Sequence, residues 1–86
     1  MLANEYLENL DCLSVDPEDW IHHANKLDCI AVQSNADRRT RDRLSTYSRR
    51  KAQAMRCRLD GRINEALEIE RYLDLLYRSI PRYARW

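Results

Sequence analysis

The sequence predicts an all-α protein, a small antiparallel bundle of about four helices forming a single domain over residues 1–86, and three observations predict it. One Gly, two Pro and no Phe stand beside abundant Leu, Ala, Arg and Glu, a composition that favours helices over turn-rich β architecture. Apolar residues recur at intervals of three and four, which gathers them on helical faces. Start and stop signals at Asp16-Pro17, Ser34, Gly61 and Pro81 cut the chain into pieces of helix length. A chain of 86 residues has room for one core and leaves much of its surface in water, which disfavours a deep enclosed active-site cavity.

The first predicted helix covers residues 2–13, where Leu2, Tyr6, Leu10 and Leu13 share one face. The second runs from Pro17 to about Val32. Asp16 suits the cap, Pro17 the first helical position, and Glu18 and Asp19 the positive end of the helix dipole. Val15 and Trp20 are placed to staple across that cap, and Trp20, Ala24, Leu27 and Ala31 form a stripe with Ile30 beside it. Ser34, followed three residues later by Asp37, marks the next start. The third helix then reaches Asp60, with Leu44, Tyr47, Ala52, Met55 and Leu59 in one broad apolar sector.

Gly61 stands where a left-handed residue would end that helix, and Ile63, Ala66, Leu67, Leu73 and Tyr77 open a further stripe. A hairpin of the third and fourth helices turning at Gly61 is the preferred reading; one helix continuous through Gly61 is the alternative, because an interior Gly costs only about 1 kcal/mol relative to Ala. Pro81 ends the fourth helix and leaves residues 81–86 as an aromatic and basic tail. The stretch Ala54 to Ala66 resembles the turn between the helices of a tetratricopeptide repeat over less than one repeat. Glu70 stands where that family places an aromatic, Pro81 falls about three residues late, and no second copy occurs, so no family is assigned.

Charge is unevenly spread. Residues 1–37 hold eight acids and one base, residues 38–62 ten bases and two acids, and residues 63–86 four of each, so the blocks carry −7, +8 and 0. Projected on the third helix, Arg38, Arg39, Arg43, Arg49, Arg50 and Arg56 lie opposite the apolar sector as a stripe about 25 Å long. Guanidinium groups suit bidentate contacts with carboxylate or phosphate, so this stripe is the candidate surface for a partner protein or a polyanion. The competing reading has the acidic N-terminal helices neutralise it within the monomer or across a dimer.

Glu70 falls inside the apolar sector of the fourth helix, and a buried carboxylate needs a partner; Lys51, Arg58 and Arg62 are the candidates for a structural buried pair. Leu75 projects onto the polar side of that helix. With Tyr83 and Trp86 beyond the proline, it is a candidate interface anchor, since Trp, Tyr and Arg are enriched at interface hot spots.

No catalytic motif is present. The adjacent His22 and His23 diverge by about 100° on a helix and cannot readily chelate one metal. Cys12, Cys29 and Cys57 are odd in number, 17 and 28 positions apart, without a CxxC pair. No metal, cofactor or small-molecule substrate is expected, and the thiols read as reduced and structural. No run approaches the roughly 20 apolar residues that span a bilayer, and acids occupy the start where a secretory signal carries bases, so a cytoplasmic setting without membrane contact is expected. The functional expectation is a non-enzymatic interaction module (adaptor, inhibitor or assembly factor) that binds a protein partner or itself. A nucleic-acid-binding accessory protein using residues 38–62 is the alternative.

Overall fold

A computed structural model describes residues 15–84 of the chain, apart from the side chain of Tyr83. These residues form α1 (Pro17–Asp28), α2 (Asn35–Leu59), α3 (Ile63–Ser79) and a closing 3₁₀ turn (Arg82–Ala84), with no strand among them. All-α is therefore the fold class, with three helices in place of the expected four. The helix expected over residues 2–13 lies outside the described residues.

Local chemistry explains the start of α1. Asp16 is extended, and its carboxylate accepts the Glu18 N–H at 3.0 Å, with Pro17 opening the helix. Val15 does not staple the cap: it is 85% exposed while Trp20 is buried. The helix also stops four residues early, at Asp28. Its last turn tightens through Cys29 N–H to Lys26 O and Ile30 N–H to Leu27 O, both 3.1 Å. Ile30 and Val32 then leave the helix to pack against Leu27, Leu44, Ile80 and Ala84. The Ile30 carbonyl, freed from any helical bond, accepts Arg41 Nη1 at 2.8 Å.

Ser34 caps α2 by accepting the Asp37 N–H at 3.0 Å. This helix is the centre of the fold, with α1 and α3 both packed on it. Ser48 donates to the Trp20 carbonyl and Ser45 to Asp28, while Arg43 meets Ser79 and Arg58 meets Glu70, so both neighbours run antiparallel to α2. The Trp20 stripe thus packs on α2, with Leu27 reaching Ile80 beyond α3.

Two neighbours mean two buried sides. Thr40, Ser45, Ser48, Ala52, Ala54 and Cys57 are buried, small side chains that let the flanking helices approach closely. A single apolar sector is the wrong description: Leu44 and Ala52 are buried, but Tyr47 and Met55 are half-buried and Leu59 is 76% exposed.

Gly61 has φ +79°, Gly61 N–H bonds Arg58 O at 3.1 Å, and Arg62 N–H bonds Cys57 O at 2.8 Å. This pair of bonds is the Schellman arrangement, and it separates α2 from α3 as two helices. Beyond α3, Ile80 turns extended ahead of Pro81, and Ile80 and Ala84 are buried at 1% and 0% exposure. The backbone after Pro81 therefore returns to the core beside Leu27 and Leu44.

Candidate functional site

The six arginines of the predicted stripe are all exposed, but they do not have one fate. Arg56 pairs with Glu18, and Arg49 with Asp28 and, at 3.2 Å, with Asn25 Oδ1, so these two answer the acidic α1. Arg43 donates to the Ser79 carbonyl at 2.8 Å and closes the end of α3. Arg50 reaches Gln53 Oε1 at 2.9 Å, and Arg39 the Asn35 carbonyl of its own helix at 3.4 Å. The Arg38 backbone N–H bonds Ser34 O at 3.0 Å, and its side chain makes no hydrogen bond or ion pair with the described residues. The stripe is divided between one side neutralised by α1 and another that meets only neutral oxygens.

Glu70 selects Arg58 from the three candidate partners. Arg58 Nε and Nη2 donate to its two carboxylate oxygens at 2.5 and 2.7 Å, a bidentate geometry. The pair is not buried: the side chains are 47% and 36% exposed, because Glu70 sits at the edge of the α2–α3 contact and not under it. Arg62 instead holds Asp60 and Glu65 across the turn. The Lys51 ammonium lies 4.4 Å from the centre of the Trp20 ring.

Arg58 and Glu70 border a groove of about 470 Å³ between α2 and α3, lined also by Tyr47, Lys51, Ala54, Met55, Leu73 and Asp74. Along α3 the edge of the groove continues by period. Ile63, Leu67, Glu70 and Asp74 follow i, i+4, i+7, i+11, and Ile63 and Leu67 are 44% and 41% exposed. On α2, Lys51, Met55 and the exposed Leu59 follow i, i+4, i+8. The result is a channel with apolar walls, two cations and two carboxylates. The Tyr47 phenol is pushed above its ordinary value of 10.0, first by burial and then by Tyr77 and Asp74, so it remains a neutral O–H in the groove wall.

No protein-family model, curated protein or solved structure matches this chain. The chemistry of the site therefore stands on its own residues. Among the described residues, no three His, Cys, Asp or Glu side chains gather so as to hold a metal ion, and no helix is long and apolar enough to cross a membrane. His23 is buried edge-on to Trp20, with ring centres 5.7 Å apart, while His22 faces solvent. Cys29 is exposed and Cys57 buried, both as free thiols. Leu75 is 66% exposed on the side of α3 away from the groove. Trp86 and the side chain of Tyr83 lie outside the described residues.

The groove is what sequence reasoning overlooks. Spacing alone places Ile63 and Leu67 in one stripe with Ala66 and Leu73, although the i, i+4, i+7, i+11 row ending in Glu70 and Asp74 marks a second, solvent-facing edge. A buried stripe rarely closes on two carboxylates, and that was the available signal.

Two carboxylates give the fold an acid limit. The Ser45 hydroxyl, donating at 2.6 Å and assisted by Arg49, holds Asp28 below the ordinary 3.8 against the opposing effect of burial. The Arg58 hydrogen bonds likewise hold Glu70 below 4.5. A carboxylate whose pKa is depressed by folding contributes stability that is complete above the unfolded value and is lost as pH falls through the folded value. Urea midpoints should therefore stay level from neutral pH to about 5 and fall below about 4. In Asp28→Asn the midpoint at neutral pH should be lower and the acid decline shallower; an unchanged acid slope would remove Asp28 from this role.

Proposed function

We propose that the chain is a non-enzymatic helical interaction module, an adaptor, inhibitor or assembly factor, that receives an amphipathic helix of a partner protein in the α2–α3 groove. The observation that carries this reading is the exposed row Ile63, Leu67 and Leu59 continuing an apolar groove lined by Ala54, Met55 and Leu73. From Ile63 to Asp74 the edge rises about 16 Å, three turns of helix, which is the reach of a helix-in-groove contact. Lys51 and Asp74 at one end, with Arg58 and Glu70 farther along, supply charges of both signs that would fix the direction of the bound helix. A second copy of the chain is the other occupant with suitable chemistry.

The proposal includes the helix that the spacing of Leu2, Tyr6, Leu10 and Leu13 predicts, giving an antiparallel bundle of about four helices, and a reducing cytoplasmic setting for the three thiols.

Leu67→Glu tests the reading, because it places a charge in the groove edge without disturbing the core. Affinity capture from the source organism, together with sedimentation of the purified chain, should lose a partner or a self-association that the parent chain shows. A loss of at least about tenfold is expected if Leu67 becomes buried on binding. Identical partners and identical mass for both chains, with identical circular dichroism, would refute it.

A further inference from the structure

The opposite flank of the hairpin carries a different surface. Arg39, Arg43 and Arg50 lie within about 40° of one another on the projection of α2 and span about 16 Å of its axis. Unlike Arg49, Arg56, Arg58 and Arg62, each of which meets a carboxylate, these three touch only neutral oxygens: the carbonyls of Asn35 and Ser79 and the amide of Gln53. Thr46 and Gln53 border a hollow with Arg49 and Arg50. A second hollow, of about 250 Å³, joins Arg50 to Glu68, Ile69 and Tyr72 of α3, and Tyr72 is 46% exposed.

We infer that this flank binds single-stranded nucleic acid, with Arg39 and Arg43 on successive phosphates and a base stacked on Tyr72 beside Arg50. Exchanging a neutral acceptor for a phosphate gives each guanidinium a shorter, charge-assisted and bidentate contact. An aromatic ring at the end of an arginine row offers a surface that every base can use and that an acidic peptide does not need. Glu68, next to Tyr72, repels a phosphate at that end, so the strand presents a base there and keeps its backbone along α2. A duplex fits poorly, because α3 runs alongside this flank and α2 cannot enter a major groove about 12 Å wide. This surface does not depend on the groove proposed above for a partner helix.

The test is fluorescence anisotropy of a labelled single-stranded RNA or DNA oligonucleotide of mixed sequence, titrated with the full chain at low and moderate salt. Binding at low salt is expected, with a log–log salt slope of about −1.4 for two phosphates. Arg39→Gln should reduce that slope by about 0.7, whereas Arg50→Gln should weaken binding with the slope little changed. Tyr72→Ala should weaken binding roughly fivefold or more with the slope unchanged. Arg56→Gln, whose parent side chain is held by Glu18, should change neither. Circular dichroism checks that every variant is folded, and Arg39 and Arg50 carry the argument because Arg43 also closes α3. The inference is overturned by no binding at low salt, or by equal losses for Arg56→Gln and Arg50→Gln. It is also overturned if polyglutamate displaces the strand at equal charge and Tyr72→Ala has no effect, since an acidic protein would then be the partner.

Discussion

Trp20→Ala should lower the stability of the fold by about 3–5 kcal/mol, read as a large drop in the urea midpoint. Trp20 is 1% exposed and is the largest fully buried side chain among the described residues. Its ring meets His23 at 5.7 Å and Tyr47 at 6.4 Å, and the Lys51 ammonium covers it at 4.4 Å from the ring centre. Tyr47 in turn lies 6.0 Å from Tyr77, so this one indole begins an aromatic path from α1 through α2 to α3. Removing a buried Trp to Ala costs about 3–5 kcal/mol, because the cavity cannot close fully. A domain of this length has a total stability of roughly 4–13 kcal/mol. Trp20→Phe keeps most of the contact area and should retain a cooperative transition at lower urea. If Trp20→Ala melted within about 1 kcal/mol of the parent chain, the packing of α1 on α2 described above would be wrong.

What the sequence makes legible here is short-range chemistry. Asp16 with Pro17, Ser34 with Asp37, and Gly61 each act within a few residues, so their types alone mark where α1 starts, where α2 starts and where the hairpin turns. The C-terminus of α1 is less legible because its cause is distant: Ile30 and Val32 are drawn off by Leu44, Ile80 and Ala84, and Arg41 takes the freed carbonyl. The two-sided burial of α2 is hidden for another reason. Thr40, Ser45 and Ser48 are polar, and their burial follows from small size under close neighbours.

The arginine stripe shows the same limit on the candidate site. Helical projection separates polar from apolar, but Arg56 and Glu18 are 38 residues apart and Arg49 and Asp28 are 21 apart. Only the antiparallel docking of α1 decides which arginines are answered. The projection could therefore not divide Arg49 and Arg56 from Arg39 and Arg50. Glu70 was legible as a residue needing a cation, and Arg58 was among those within reach. That the pair stays half in solvent depends on how α3 docks on α2, which no spacing encodes.

Ile80→Ala should lower stability by about 2–5 kcal/mol, the cost of truncating a fully buried aliphatic side chain, whereas Leu75→Ala on the same helix end should change it by no more than about 0.5 kcal/mol. The two residues are five positions apart and nearly equal in size, and they differ in surroundings: Ile80 is 1% exposed within the Leu27, Leu44 and Ala84 cluster, and Leu75 is 66% exposed. Ile80 owes its position to Pro81. The proline forces extended geometry at Ile80, φ −80° and ψ 131°, which ends α3 and turns the side chain inward, while the Ala84 N–H to Pro81 O bond at 2.9 Å returns the backbone to the core. A chain ending at Ser79 should therefore lose at least as much stability as Ile80→Ala, since Ala84 is removed with it. Urea melts of the two point variants and the truncated chain make the comparison. Equal midpoints for Ile80→Ala and Leu75→Ala would mean that the segment after Pro81 does not cover the core, and that the open end of α1 and α2 is closed by something else.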